Sequence, residues 1–276
     1  MTLNGSGLGL RRGMMEEMKS LTIKDVDFLE VAPENWINVG GRLGKAFREF
    51  TERFPFACHG LSLSIGSADK LDVDFVKSVK DFMDIHNIEI YSEHLSYCSH
   101  DGHMYDLMPM PFTEQAADYV ADRVAQVQDI LQRPLILENV STYASPGQEM
   151  SELEFVTQVL QKADCKMLLD VNNVYVNSIN HGFDPKHYIN SIPTDRIEYL
   201  HIAGHFDESE DLLVDTHGAS IKAQVWDLLA LTYAKHGKLP TLLERDFNFP
   251  AMSELLAEIN QIKEYQQGAQ HERQLA

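Results

Sequence analysis

The chain is 276 residues long, 44% hydrophobic and 24% charged. That balance excludes wholesale disorder and a small stapled module, and it suits one large α/β domain. Its 23 Lys and Arg against 42 Asp and Glu leave a net charge of −19 with no basic cluster, so nucleic-acid binding is not expected. Three cysteines without close spacing (Cys58, Cys98, Cys165) argue against a disulfide scaffold, and neither a signal pattern nor an apolar run of membrane-spanning length is present. A cytoplasmic protein without membrane attachment is expected.

Short runs rich in Val, Ile, Leu and Phe alternate with amphipathic stretches along the whole chain. Strands are expected near Gly7–Leu10, Val26–Val31, Phe56–Leu61, Ile88–Ser92, Leu135–Leu137, Met167–Leu169, Ile197–His201 and Thr241–Glu244. Between them, apolar residues at three-to-four spacing predict helices over Ala46–Phe54, Val73–His86, Glu114–Leu131, Glu152–Lys162, Lys222–His236 and Met252–Gln266, with a shorter one around Tyr188. Thr113, Ser151 and Ser253 each precede a carboxylate and are N-cap candidates, while Gly237 ends the helix before the last strand. Eight βα units in this length predict a (β/α)8 barrel of the TIM type, a single domain over 1–267 followed by a polar, disordered tail over 268–276. The glycine-rich start, Gly5-Ser6-Gly7-Leu8-Gly9, lacks both nucleotide-loop spacings and reads as a strand packed close to its neighbours.

The informative feature is the polar residue that ends almost every strand: Glu30, His59, His94, Glu138, Asp170, His201 and Glu244 from the second strand on, with Asn173, Asp215, His217 and Asp246 in the loops that follow. Strand C-termini of a parallel barrel open onto one face, so residues far apart in sequence converge there. Buried carboxylates are costly unless paired or bound to a cation, and interleaved imidazoles and carboxylates are the ligand set of a divalent transition metal. Nitrogen and oxygen donors without thiolate suit Fe, Mn or Zn. The candidates His59, His94, Glu138, Asp170, Asn173, His201, Asp215, His217 and Glu244 exceed the roughly three to six ligands one ion takes, so two or three ions sharing a carboxylate are expected.

Each residue taken singly has a plainer reading. A strand-end histidine is more often a satisfied core or loop residue. Cys58 faces away from His59 and reads as a small buried hydrophobe. His201 and His205 share a zincin-like spacing but not a helix. His86, His187, His236 and His271 are expected to face solvent. His100 and His103 fall in a loop, as do Met108–Pro111, and Asn139 and Asn172 read as residues that orient ligands.

The stretches Phe28-Leu29-Glu30-Val31-Ala32-Pro33-Glu34-Asn35-Trp36, His59-Gly60-Leu61-Ser62-Leu63-Ser64, Ser92-Glu93-His94-Leu95, Leu137-Glu138-Asn139, Leu169-Asp170-Val171-Asn172-Asn173, His201-Ile202-Ala203-Gly204-His205 and Val214-Asp215-Thr216-His217-Gly218 together resemble the multinuclear non-haem iron-dependent oxidative enzymes, over nearly the whole chain. The resemblance implies a mixed Fe(II)/Fe(III) centre with dioxygen as co-substrate. It implies His59, His94 and a bridging Glu138 on one iron, Asp170, His201 and Glu244 on a second, and Asn173, Asp215 and His217 at a third. It further implies oxidation of cysteine in a ribosomally made precursor peptide, with hydrogen removed from the cysteine β-carbon, a small partner protein that presents the peptide, and a homodimer or partner heterodimer. No catalytic residue beyond the metal centre is assigned. Two other classes stay open. A Zn- or Mn-dependent sugar isomerase or endonuclease-IV-like hydrolase would use the same barrel, although the nuclease conflicts with the charge of −19. A non-catalytic metal-binding scaffold would close its coordination sphere.

Overall fold

The structure is a computed structural model that describes residues 3–275, with side chains up to residue 269. In chain order its elements are β1 (Ser6–Gly9), α1 (Met15–Met18), β2 (Phe28–Val31), α2 (Gly41–Thr51), β3 (Phe56–His59), α3 (Val73–His86), β4 (Ile90–His94), β5 (Tyr97–Ser99), β6 (His103–Met108), α4 (Glu114–Leu131), β7 (Ile136–Glu138), α5 (Glu152–Lys162), β8 (Lys166–Asp170), α6 (Val171–His181), α7 (Pro185–Ser191), β9 (Ile197–Ile202), β10 (Phe206–Ser209), β11 (Leu212–Val214), α8 (Ala223–His236), β12 (Thr241–Leu243) and α9 (Met252–Leu275). The closed barrel has the order β1-β12-β9-β8-β7-β4-β3-β2, its neighbours paired in parallel, as a TIM-type barrel requires.

Alternation along each strand explains what the barrel holds. One set of side chains, including Leu29, Val31, Cys58, Leu137, Leu169, Leu200 and Ile202, faces outward into the core shared with the helices. The other set faces inward, and its lower layer (Phe28, Ala57, Ile136, Leu168, Tyr199, Leu242) forms a separate buried cluster. β1 contributes Gly7 here: a Cβ would fall 2.4 Å from the Phe28 ring, so the glycine makes room for that ring.

Helix starts follow capping chemistry. Thr113 accepts from the Ala116 N–H, and Ser151 and Glu154 form a reciprocal capping box. Ser253 is not an N-cap, because α9 already begins at Met252. α9 continues past the expected Gln266 end, so the backbone of the expected disordered tail is helical as far as Leu275; its side chains from residue 270, including His271, lie outside the described residues. Other departures are local. α6 was not expected as a helix, and the antiparallel hairpins β5–β6 and β10–β11 occupy stretches expected as loops. His236 is buried, bonded to Thr194 Oγ1 and the Ile189 carbonyl, which corrects its expected solvent position. His86 is half-buried against Phe47 and Phe82, whereas His187 is exposed. All three cysteines are buried and free.

Candidate metal centre

Two residues above each member of the apolar layer, the same inward face turns polar. Phe28 is followed by Glu30, Ala57 by His59, Ile136 by Glu138, Leu168 by Asp170, Tyr199 by His201 and Leu242 by Glu244. His94 stands beside Glu138 in the β4–β7 register and Asp170 beside His201 in the β8–β9 register, so neighbours in the ring come from adjacent strands. Glu30, His59, His94, Glu138 and Glu244 line the floor of a cavity of about 490 Å³, walled by Arg11, Trp36, Leu61, Leu107 and Tyr143.

Among the described residues, ligand atoms meet in four overlapping groups, one of which joins His59, His201 and Glu244. His59 Nε2 and His94 Nε2 are 3.2 Å apart and lie 3.1 and 3.3 Å from Glu138 Oε2. The other oxygen, Glu138 Oε1, is 3.6 Å from His201 Nδ1, which is 2.9 Å from Glu244 Oε2. Glu138, Asp170, His201 and Glu244 bring ligand atoms within 4.8 Å of one another. Glu244 Oε2 is also 3.2 Å from His217 Nδ1, itself 3.3 Å from Asp246 Oδ2. Glu138 and Glu244 are therefore each shared between groups.

The group at His217 differs from the set expected from the sequence. Asp246 faces His217, whereas Asp215 approaches its far side, with Oδ1 2.6 Å from Nε2, and accepts a bond from Asn172 Nδ2. Asn173 is committed to protein partners: Nδ2 donates to the Asn139 carbonyl and Oδ1 accepts from Ser141. Asn139 and Asn172 hold neighbours in place, Asn139 by exchanging bonds with the Asp170 backbone. His205 is bonded to Asn172 and lies outside the groups. His100 pairs with Asp69 on the β5–β6 hairpin. Glu30 and Asp246 are the functional candidates that the sequence-derived ligand set omits, although both stand at strand ends in the same pattern.

Several atoms here lack a hydrogen-bond partner despite full burial: Asp170 Oδ2, His201 Nδ1, Glu244 Oε2, His94 Nδ1 and His217 Nε2. A buried orphan costs free energy; Asp170, His201 and Glu244 contribute theirs to one group, whereas His94 Nδ1 faces Glu93 and His217 Nε2 faces Asp215. His201 Nδ1 and Glu244 Oε2 approach to 2.9 Å without forming a hydrogen bond. Carboxylates (Glu30, Glu138, Asp170, Asp215, Glu244, Asp246) also dominate the cluster, with Arg11 bonded to Asp246 and Glu244. Cations satisfy both conditions at once, so the residues fit divalent ions.

The ion-free electrostatics carry the same signature. Burial pushes the Asp170 carboxyl up to about 8, reinforced by Glu138. Burial opposes the charge on His94, but Glu93 and Glu138 overcome it and raise the imidazole to about 9. Burial likewise works against His201 and His217, which surrounding carboxylates nonetheless hold well above the ordinary range. Burial would raise Glu138 and Glu244, but their imidazole neighbours draw both below it. Protons on these histidines occupy the role that metal ions would take.

A family model described as RiPP precursor modification enzyme MbnB/TglH/ChrH matches residues 5–267. A UPF0276 protein of Shewanella sediminis is 64% identical over 94% of this chain and 94% of its own length, and one of Pseudomonas aeruginosa is 56% identical over 96% and 93%. Among solved structures, an L-ribulose 3-epimerase superposes with a TM-score of 0.65 at 14% identity, over 100% of this chain and 98% of that one. An IOLI protein with a bound zinc atom superposes with a TM-score of 0.61 at 12% identity, over 96% and 97%. At such identities these structures share the barrel fold and nothing further is drawn from them. Among the described residues no helix is long and apolar enough to cross a membrane.

Proposed function

We propose, from the premise that this chain belongs to the MbnB/TglH/ChrH family of RiPP precursor modification enzymes, that it is an iron- and dioxygen-dependent oxidase of cysteine in a ribosomally made precursor peptide. The observation that supports this most is Glu138, whose two oxygens face different groups, Oε2 toward His59 and His94 and Oε1 toward His201. His59, His94 and Glu138 would hold one ion, Glu138, Asp170, His201 and Glu244 a second, and His217, Glu244 and Asp246 a third. Iron bound there would supply one-electron oxidation with dioxygen as the oxidant.

The chain's own residues would do the rest. Glu138 and Glu244, each shared, would fix the spacing between ions. Asp215 would orient His217 from behind, and Arg11 would offset the negative charge of Glu244 and Asp246. Trp36, Leu61 and Tyr143 would wall the cavity against water around an incoming cysteine side chain. A small protein presenting the peptide, a homodimer and a cytoplasmic location belong to the same reading.

The test is peptide mass. Chain produced with iron supplementation and purified without oxygen is mixed with a cysteine-containing precursor peptide and the presenting protein. The mass should change only when oxygen is admitted, and not when the cysteine is replaced by serine. An unchanged mass with every component present contradicts the reading. Oxygen-independent turnover of a ketose with Zn or Mn would instead favour the isomerase class.

A further inference from the structure

Beneath the ring of ligand atoms runs a second line of polar side chains. His59 Nδ1 lies 2.8 Å from Ser92 Oγ, Ser92 Oγ 2.6 Å from Tyr199 Oη, and Tyr199 donates to Glu30 Oε2 at 2.8 Å. The same Glu30 oxygen is 3.1 Å from His201 Nε2. Every member is buried, and Glu30, Ser92, Tyr199 and His201 are wholly so. The line crosses the barrel floor from β3 to β9 and ends on His59 and His201.

Its polarity is fixed by chemistry. A carboxylate only accepts, so Glu30 Oε2 takes one hydrogen from Tyr199 and one from His201 Nε2. With its proton given to Glu30, Tyr199 accepts from Ser92, and Ser92 in turn accepts from His59 Nδ1. One direction therefore satisfies every link, and it leaves His59 Nε2 and His201 Nδ1 facing Glu138 and Glu244. Without this line the two rings are free to carry the proton on either nitrogen.

We infer that Glu30 is a positioning residue that sets which nitrogen each histidine presents, acting directly on His201 and through Tyr199 and Ser92 on His59. The inference rests on the metal reading above. Carboxylates behind metal-bound histidines raise metal affinity by roughly 10- to 100-fold. Here one carboxylate serves two histidines, one beside His94 and the other beside Asp170, that also share a group with Glu244. Glu30 Oε1 is buried without a hydrogen-bond partner, and Glu30 lines the cavity.

The test uses zinc as a diamagnetic probe, with readouts that do not depend on turnover. In ¹⁵N-histidine spectra of the zinc-loaded native chain, His201 should carry its proton on Nε2 and His59 on Nδ1; the reverse pattern overturns the inference even if no variant folds. In zinc titrations, Glu30→Gln should weaken the step at His201 by about 10- to 100-fold and the step at His59 and His94 less, since Glu30 reaches His59 only through Tyr199 and Ser92. Tyr199→Phe should change zinc affinity far less, because Glu30 still holds His201, while altering the His59 resonances. Native and Glu30→Gln chains with equal affinities and equal histidine spectra would overturn the role of Glu30 alone. A native chain that binds no zinc and no iron would overturn the metal reading with it.

Discussion

The two inward layers of the barrel are built by the same strands, two residues apart, yet they do opposite things. Phe28, Ala57, Ile136, Leu168, Tyr199 and Leu242 remove apolar surface from water and hold the strands together. Glu30, His59, Glu138, Asp170, His201 and Glu244, one layer higher, are equally buried and crowd like charges together. The lower layer stabilises the fold by itself. The upper layer is satisfied only when something positive enters it, either protons on the imidazoles or metal ions. The barrel thus separates the part that folds from the part that reacts by a single step of the strand repeat.

The sharpest way to separate the layers is to remove one member of each. Phe28→Ala deletes a fully buried ring from the lower layer and should cost about 3–5 kcal/mol in denaturant unfolding, while the metal stoichiometry of the folded fraction stays the same. A Phe28→Ala chain that folds normally but binds no metal would break the division.

The second contrast is in pH. Asp170 has its carboxyl raised from 3.8 unfolded to about 8 in the ion-free chain, chiefly by burial and then by Glu138. A raised pKa means the folded state holds its proton more tightly, so the associated stability is complete below about 4 and is lost as pH climbs through about 8. Asp170→Asn keeps the N-cap on Asn173 and removes that loss. In chelator-treated samples the variant should gain stability over the native chain between pH 5 and pH 9, and added metal should reverse the order. Parallel pH profiles for the two chains would count against the electrostatic account of the upper layer.

The smallest effect concerns Glu152, a carboxylate outside the barrel, which burial lifts to about 7 against a hydrogen bond from Asn177 Nδ2 and the neighbouring Tyr188. Its contribution is likewise present below about 4.5 and lost as pH rises through about 7. Glu152→Gln should therefore stabilise the chain at pH 8 by on the order of 1–3 kcal/mol and leave it unchanged near pH 4. Unlike Asp170, it should show no dependence on added metal. A metal-sensitive Glu152→Gln phenotype would mean the two carboxylates are not independent.

Much of this was legible before any coordinates. The βα alternation carries the barrel, and the polar residue ending each apolar run carries the ring, because strand parity places every such residue on the inward face. The same pattern names Glu30, two residues beyond Phe28, as a strand-end residue; its role beneath the ligand ring depends on Tyr199 and His201, which lie far away in sequence. Asp246 escaped the ligand set because its partner His217 comes from a different loop, joined by the Asp246 N–H to the His217 carbonyl. α6 was missed because its N-cap is Asp170, which reads as a strand end, and because its buried residues lie on more than one face. The hairpins β5–β6 and β10–β11 are built of strands of three to six residues, too short for an alternation that would distinguish them from loops. His236, at a helix end, is expected to face solvent, but its partners Thr194 and Ile189 come from elsewhere in the chain.

The most direct measurement is iron content, determined on protein made in iron-rich cells and purified without oxygen, for the native chain, His94→Gln and Glu138→Gln. If Glu138 is shared between groups, the native chain holds two or three irons, His94→Gln loses about one, and Glu138→Gln loses more than His94→Gln. Equal losses in the two variants, or a native chain whose metal survives Glu138→Gln intact, would contradict a shared carboxylate at the heart of the site.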